Sequence, residues 1–200
     1  MTKSDDQRAK ILDVARDLFA EKGFEGTTTR ELNKALGIAD GLLYYYFPHG
    51  KQEILDTIVQ QGVEQRINEV QVDFAGATTT DQLEVRFGTI IRQIWQLFAS
   101  EDNYQSFMIT VRERMLLSDD ESGWLSAVTT AVEGNICDAL AAIAEEMGWT
   151  ETSARMRGQV CMSIIQSKLY DELLIKDHRE LQETALLGMK AQIHFVLGSK

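Results

Sequence analysis

Apolar residues near the N-terminus recur at intervals of three and four positions, the spacing of one face of an α-helix. These residues are Ile11, Leu12, Ala15, Leu18 and Phe19. The stripe predicts an amphipathic helix from about residue 6 to residue 22, and Gly23 marks its end. Such a helix needs a partner surface for its apolar side.

Two shorter helices follow. Thr28 and Glu31 have the spacing at which a threonine hydroxyl and a glutamate carboxylate cap each other's backbone amides at a helix start. Gly37 can adopt the positive φ that a tight turn needs, and a third helix is predicted over about residues 39–47. After a break, Lys51 begins a fourth helix. Two short helices joined by a tight turn are a helix-turn-helix. The inward residues predicted for the second helix are Leu32, Ala35 and Leu36.

The rest of the chain reads as helices joined by short polar breaks, without the alternation typical of strands. Each break contains residues that cap helices, and the breaks are 76–80, 100–103, 118–123, 148–152 and 176–180. We predict an all-α fold of about nine helices. A helix-turn-helix domain is expected at residues 1–50 and a larger helical domain at residues 51–200.

The last two predicted helices, at about 152–175 and 181–197, are apolar on more than one face. Their apolar residues are Val160, Cys161, Met162, Ile164, Ile165, Leu169, Leu173, Leu181, Ala185, Leu186, Met189, Ile193, Phe195 and Val196. Because one monomer core cannot easily cover all of this surface, we expect a homodimer joined through these two helices.

Composition narrows the functional classes. Two hundred residues can bury a core without metal or disulfide support, so no cofactor is implied. Cys137 and Cys161 fit no metal-ligand pattern; they are interpreted as reduced core thiols or, alternatively, as a redox-sensing pair. His49, His178 and His194 are isolated and no glycine-rich phosphate loop occurs, which argues against an enzyme. No apolar run approaches the ~20 residues that span a bilayer, so we expect a cytoplasmic protein without a membrane partner.

The charge is distributed unevenly along the chain. The net charge is −11, yet residues 1–51 contain eight basic and eight acidic residues and are neutral. The acidic excess therefore lies entirely beyond residue 51. A locally cationic face in the first 51 residues can approach phosphate while the rest of the chain favours solubility.

The segment TTTRELNKALGIADGLLYYYFPHGKQEIL resembles the TetR/AcrR family of bacterial transcriptional regulators over roughly the first 60 residues. The specific features are the Thr-Thr-Arg start of the second helix, the Leu-Gly-Ile turn, the Leu-Tyr-Tyr-Tyr-Phe recognition helix and a lysine after a proline-containing break. The resemblance implies an N-terminal domain that binds a palindromic operator in double-stranded DNA.

The resemblance also implies individual DNA contacts. At the starts of the second and fourth helices, backbone phosphates would be held by Thr28, Thr29, Arg30 and Lys51. The recognition helix would pack through Leu43 and Phe47. It would present to the major groove and its edges Ala39, Asp40, Gly41, Leu42, Tyr44 and Tyr45. In the alternative interpretation the run Tyr44–Tyr46 is an aromatic core patch, and Tyr46 alone fits either interpretation.

Three residues depart from the family pattern. Asn33 stands where alanine is usual, Ala39 where a serine or threonine cap is usual, and Leu42 where threonine or asparagine is common. Ala39 and Leu42 leave the recognition helix with fewer groups that can form hydrogen bonds with bases. Asp40 then has two interpretations: a helix cap in place of Ala39, or an acceptor for a cytosine amine.

The family resemblance finally implies a C-terminal domain for dimerisation and for binding a small-molecule effector, whose binding moves the fourth helix. Side chains suited to an apolar ligand are Phe87, Ile91, Trp95, Phe98, Tyr104, Phe107, Met108, Met115, Trp124, Cys137, Met162 and Tyr170. The same residues also fit an ordinary helical core. The predicted function is a dimeric repressor released from DNA by a small, largely hydrophobic ligand. The alternatives are an all-helical enzyme and a helix-turn-helix adaptor that binds protein.

Overall fold

The computed structural model describes residues 3–113 and 119–199, without the side chains of residues 3, 62–69 and 119–128. These ranges form nine α-helices and no strand, which confirms the predicted all-α class. The helices are α1 (Lys3–Lys22), α2 (Thr29–Leu36), α3 (Asp40–Tyr46), α4 (Lys51–Glu69), α5 (Thr80–Leu97), α6 (Glu101–Arg112), α7 (Asp119–Ala142), α8 (Glu151–Tyr170) and α9 (Glu183–Gly198). A π-helical segment, Asp171–Ile175, continues α8.

The chain divides into two compact units. The first comprises Met1–Gln65 and Ser100–Ala127, and the second comprises Arg66–Ala99 and Val128–Lys200. The helix-turn-helix therefore shares its unit with the first part of α4 and with α6. The functional boundary near residue 50 stays a prediction.

The first unit has one hydrophobic core, built from the stripe on α1 and the inner faces of its neighbours. Its fully buried members are Ile11, Ala15, Phe19, Leu32, Leu43, Phe47, Ile54, Leu55, Ile58 and Ile109. Each large apolar side chain in such a core contributes about 1.5–3 kcal/mol to folding. Because Ile109 belongs to α6, this helix is part of the framework that holds α1–α4 together.

The turn between α2 and α3 has the predicted glycine geometry, and α2 has the predicted cap. Gly37 adopts φ 65°, a left-handed conformation in which a residue with a side chain would be strained. Thr28 and Glu31 form the expected capping box. By contrast, the N-cap of α3 is Ala39, which provides no side-chain cap, and Asp40 is the first helical residue. The prediction that Asp40 caps α3 is wrong, because the chain enters the helix one residue earlier.

The predicted inner face of α2 needs one correction. Leu32 and Leu36 are buried as expected, but Ala35 is exposed and Asn33 is buried. Residues 32, 33 and 36 lie within one arc of about 100° on a helix, whereas residue 35 lies on the other side of Leu32. The buried arc of α2 thus extends toward α3.

One predicted break does not exist as such. Residues 119–123 are helical, because α7 begins at Asp119; residue 118 lies outside the described residues. The acidic stretch that indicated a polar break is also a composition favoured in the first turn of a helix. Gly123 disfavours a helix by only about 1 kcal/mol relative to alanine.

The second unit is a helical layer in which α9 packs against both α5 and α8. Gly158 of α8 lies so close to α7 that a β-carbon there would meet the Cys137 Sγ at 2.9 Å. Cys137 and Cys161 are buried free thiols, and burial raises the pKa of Cys161 to about 12. Both properties favour the interpretation as core thiols. None of the described helices is long and apolar enough to cross a membrane.

Candidate nucleic-acid interface

The α3 helix has one buried face and one exposed face. Leu43 and Phe47 are completely buried, as predicted for its back, whereas Leu42, Tyr44 and Tyr45 are 38%, 50% and 74% exposed. The core-patch interpretation is therefore wrong for Tyr44 and Tyr45. Tyr46 is half-buried and packs against the core, and its ring is perpendicular to that of Tyr45 with 5.1 Å between the centroids. An exposed pair of tyrosines on a rigidly packed helix is suited to contacts with a nucleic acid backbone.

Most of the predicted contact residues lie at the surface. The exposed ones are Thr28, Arg30, Ala39, Asp40, Gly41, Leu42, Tyr44 and Tyr45, and the half-buried ones are Thr29 and Lys51. All of them belong to the first unit. Their role in binding DNA stays a prediction, but none of them is held in the interior.

Thr28 is engaged within the protein. Its hydroxyl accepts a hydrogen bond from the Glu31 amide at 3.2 Å and donates one to Glu31 Oε2 at 2.9 Å. Glu31 Oε2 also accepts the Thr28 amide, and Glu31 Oε1 accepts Lys22 Nζ at 3.0 Å. The hydrogen bond from the Thr28 amide, followed by that from Lys22, lowers the pKa of Glu31 to about 2. A phosphate at this helix start would meet a preorganised cap rather than a mobile hydroxyl.

Sequence reasoning missed the way in which Lys51 is held. Its Nζ donates to the Phe24 carbonyl oxygen at 2.7 Å and lies 4.1 Å from the centroid of the Phe24 ring. The ammonium group has three donors, so one hydrogen bond to Phe24 leaves capacity for an anion. Lys51 is thus a positioned cation at the start of α4, in contact with the connection between α1 and α2.

Hydrogen bonds of Arg112 and Glu113 join the C-terminal end of α6 to the C-terminal end of α1, and no sequence pattern indicated them. Arg112 donates to the carbonyl oxygens of Phe19 and Ala20 at the end of α1. Its Nε also donates to Glu113 at 3.0 Å, and the same carboxylate oxygen accepts the Phe24 amide at 3.1 Å. The Phe19 carbonyl oxygen also accepts the Gly23 amide at 3.0 Å. The Ala20 carbonyl oxygen and the Phe24 amide lie where the end of α1 leaves backbone groups without helical partners, and Arg112 and Glu113 bind them.

The buried Asn33 explains the position of Asp40. Asn33 Nδ2 donates to Asp40 Oδ1 at 3.0 Å, which links α2 to the first residue of α3. Asn33 Oδ1 is buried without a hydrogen-bond partner among the described residues. Asn33 and Asp40 therefore form a hydrogen-bonded pair. Asn33 fixes the Asp40 side chain, although Asp40 lies on the exposed side of α3.

The residues predicted for a ligand pocket are divided between the two units. In the second unit lie Phe87, Ile91, Trp95, Phe98, Cys137 and Met162, all buried, and the partly exposed Tyr170. In the first unit lie Tyr104 and Phe107, which are buried, and the half-buried Met108. Met115 and the side chain of Trp124 lie outside the described residues. Each of these placements also fits a helical core, so the pocket stays a prediction.

In sequence comparisons, only part of this chain matches known proteins. Residues 11–58 match the family described as "Bacterial regulatory proteins, tetR family". The HTH-type transcriptional repressor KstR2 of Rhodococcus jostii is 41% identical over 54 residues, which are 27% of this chain and 26% of that protein. The chain spans 26–46% of the length of the first curated relatives that it matches.

Solved structures extend the likeness to the whole fold. Salmonella enterica GusR superposes with a TM-score of 0.67 at 18% identity, covering 100% of this chain and 99% of that one. The regulator PfmR from Thermus thermophilus, described as TetR family, superposes with a TM-score of 0.61 at 21% identity, covering 94% and 96%. At this identity the likeness establishes the fold: a helix-turn-helix followed by a helical C-terminal region.

Proposed function

Because the chain belongs to the TetR family of bacterial regulatory proteins, we propose that it is a DNA-binding transcriptional regulator. In its specific form, the proposal is a dimeric repressor that a small, largely hydrophobic ligand releases from a palindromic operator. The observation that carries it is the α3 helix, anchored by buried Leu43 and Phe47 while Tyr44 and Tyr45 face outward.

The proposed mode of binding relies on placed groups rather than on bulk charge. The first 51 residues are neutral, so long-range attraction to DNA is modest. Lys51, Arg30 and the N-terminal amides of α2 would contact phosphates on either side of α3. The tyrosine hydroxyls would donate to further phosphates. Because Ala39 and Leu42 offer no side-chain hydrogen bond, base recognition would depend on few groups, among them Asp40.

A dimer would bring two copies of α3 to successive major grooves. Its proposed interface is formed by one exposed face of each of the last two helices. On α8 this face contains Met156, Val160, Ser163, Ser167 and Tyr170, and on α9 it contains Thr184, Leu187, Gly188, Ala191 and Phe195. Their spacing of three and four places each set on one side of its helix. Large apolar residues beside small ones allow two helices to approach closely and remove apolar surface from water.

Release by a ligand requires a path from the effector region to α3. Within the first unit, α6 supplies such a path, because Glu113 and Arg112 bind the backbone around Phe24 and the end of α1. A displacement of α6 would therefore shift Phe24 and, through its carbonyl oxygen, Lys51 at the start of α4. The repressor name of the relative KstR2 supports the proposed sign of regulation.

Footprinting of the DNA upstream of the protein's own gene tests this function. We expect protection of one short palindromic site and its loss when a suitable hydrophobic ligand is added. Tyr44→Ala and Tyr45→Ala should weaken protection without changing helicity, while the exposed control Lys10→Gln should leave it nearly unchanged. Full protection by both tyrosine variants would contradict the proposed role of α3.

The enzyme and adaptor alternatives predict other results. The matched relatives are transcriptional regulators, which favours DNA binding over catalysis. A protein-binding adaptor would show no DNA affinity that falls steeply with salt, since that dependence arises from counterions released by phosphate contacts. Measuring the affinity between about 50 and 200 mM salt separates the two functions.

A further inference from the structure

Three side chains with metal-binding atoms meet on the second unit, where α5 packs against α9. Asp81 and Glu84 lie about one turn apart on α5, and His194 lies opposite them on α9. His194 Nδ1 is 3.0 Å from Glu84 Oε2 and 3.6 Å from Asp81 Oδ1. The three candidate ligand atoms lie within 4.8 Å of one another. Among the residues that the structure describes, no other group of three His, Cys, Asp or Glu side chains comes together in this way.

The distances fit a coordination sphere. Nitrogen and oxygen ligands lie about 2.0–2.1 Å from a tetrahedral Zn²⁺, which places neighbouring ligands about 3.4 Å apart. The two distances from His194 lie on either side of this value. The Asp81 and Glu84 oxygens lie at most 4.8 Å apart. Side-chain shifts of up to about an ångström would therefore bring all three ligand atoms to the spacing around an ion.

The surroundings of Glu84 also suit a ligand. Its second oxygen, Oε1, accepts a hydrogen bond from Lys190 Nζ at 3.0 Å. Ligating carboxylates are commonly oriented by such a bond on the oxygen that does not face the ion. The Glu84 side chain is 25% exposed and that of Asp81 is 87% exposed, so Glu84 is held in place while the Asp81 side leaves a route from solvent. Lys190 reduces the attraction for a cation, and we expect weaker binding than at a structural zinc site.

We propose that Asp81, Glu84 and His194 form a binding site for one divalent transition-metal ion of the Zn²⁺, Co²⁺ or Ni²⁺ type. One imidazole with two carboxylates suits these ions, whereas Mg²⁺ and Ca²⁺ prefer oxygen ligands alone. Three protein ligands leave one position of a tetrahedral ion open to water or to a small anion. The ion connects α5 with α9 and stabilises their packing. Binding of the ion at this site does not require that the protein binds DNA.

Titration of the full-length, tag-free and chelator-treated protein with Zn²⁺ tests the site by calorimetry. We expect one ion per chain, and a Co²⁺-loaded sample should show the visible absorption of a tetrahedral ion. His194→Ala and Glu84→Gln should each weaken Zn²⁺ binding by roughly a hundredfold or more, because losing a partner of a ligand alone costs about 10–100-fold. The control His49→Ala removes a histidine from the other unit and should bind as the unchanged protein does.

Thermal unfolding with and without Zn²⁺ tests the site even if a variant is itself less stable, because each variant is compared with itself. An ion that binds only the folded chain raises Tm, and this increase should be present in the His49→Ala protein and absent from His194→Ala. Equal Zn²⁺ affinity in the His194→Ala and unchanged proteins would overturn the proposal. So would the absence of binding to the unchanged protein, in which case the three residues form only an ion-pair group.

Discussion

The Glu113 carboxylate at the end of α6 accepts a hydrogen bond from the backbone amide of Phe24, 89 residues earlier in the chain, at 3.1 Å. The carbonyl oxygen of the same residue accepts Lys51 Nζ from α4. Both polar groups of the Phe24 backbone are thus held by other helices of the first unit. The connection between α1 and α2 is therefore positioned by tertiary contacts.

Removing the Glu113 carboxylate should destabilise the protein. Glu113→Ala leaves the Phe24 amide without its buried acceptor, and such a loss costs about 1–3 kcal/mol. Glu113→Gln keeps an oxygen for this amide and should cost less. Urea unfolding followed by circular dichroism measures the free energy of unfolding. If the two variants were equally stable, the hydrogen bond to Phe24 would have no measurable importance.

Replacing Lys51 should affect DNA binding in a way that a structural lysine would not. If Lys51 contacts a phosphate, Lys51→Gln weakens binding to all sequences and reduces the slope of log affinity against log salt by about 1. Fluorescence anisotropy with an operator fragment at several salt concentrations measures this slope. Lys10→Gln, an exposed lysine on α1, is the matched control. An unchanged slope together with lower stability would mean that Lys51 only positions Phe24 and does not contact a phosphate.

The pair formed by Asn33 and Asp40 predicts an unusual order of stabilities. Asp40→Ala leaves the buried Asn33 amide without its acceptor and removes an acidic group from the first turn of α3, at a total cost of about 1–3 kcal/mol. Asn33→Ala removes the buried amide itself and leaves Asp40 hydrated, so it should cost less. The exposed residue would thus be the more sensitive one. Thermal unfolding of both variants decides this order, and the reverse result would show that the pair does not act as described.

Phe195 should be important for dimerisation, since it is 77% exposed on α9 of the single chain. Burying a phenylalanine contributes about 2 kcal/mol, and a two-fold interface contains it twice. Phe195→Ser should therefore raise the dimer Kd by roughly a thousandfold. Sedimentation velocity over a concentration series measures this change. Val85→Ser, a comparably exposed apolar position on α5, should not alter the dimer; if it did, the interface would lie elsewhere.

The buried Glu172 predicts a dependence of stability on pH. Its Oε1 accepts Lys168 Nζ at 2.8 Å and Lys176 Nζ at 3.0 Å, and the hydrogen bond from Lys168 is the main cause that lowers the pKa of Glu172 to about 2. A lowered pKa contributes stability that is fully present above the ordinary value of 4.5. This contribution is lost as the pH falls from 4.5 through about 2.

Glu172→Gln should therefore be roughly 1–3 kcal/mol less stable than the unchanged protein at pH 7, and the difference should shrink below pH 4.5. Urea unfolding at several pH values measures it. Asp171→Asn is the control, since Asp171 is 40% exposed and solvent screens its ion pair with Lys168, so its replacement should have a much smaller effect. A difference that did not vary with pH would exclude the charge of Glu172 as its cause.

Local patterns in the sequence were sufficient to predict the elements of the helix-turn-helix. The stripe on α1, the cap at Thr28, the glycine turn at Gly37 and the buried pair Leu43 and Phe47 all follow from contacts within a few residues. Helical periodicity and capping depend on neighbours along the chain, so they can be read without knowing the fold. The acidic start of α7 was misinterpreted for the same reason, because its composition suits both a break and a helix start.

Contacts between distant residues could not be read in this way. The sequence by itself determined an all-helical protein with an N-terminal helix-turn-helix, whose second short helix, α3, is buried through Leu43 and Phe47. Only the tertiary structure decided that Glu113 holds Phe24, that Asn33 holds Asp40 and that His194 meets Glu84 across 110 positions. The physical reason is that such hydrogen bonds form only after helix packing has brought together side chains whose separation in sequence carries no periodic signal.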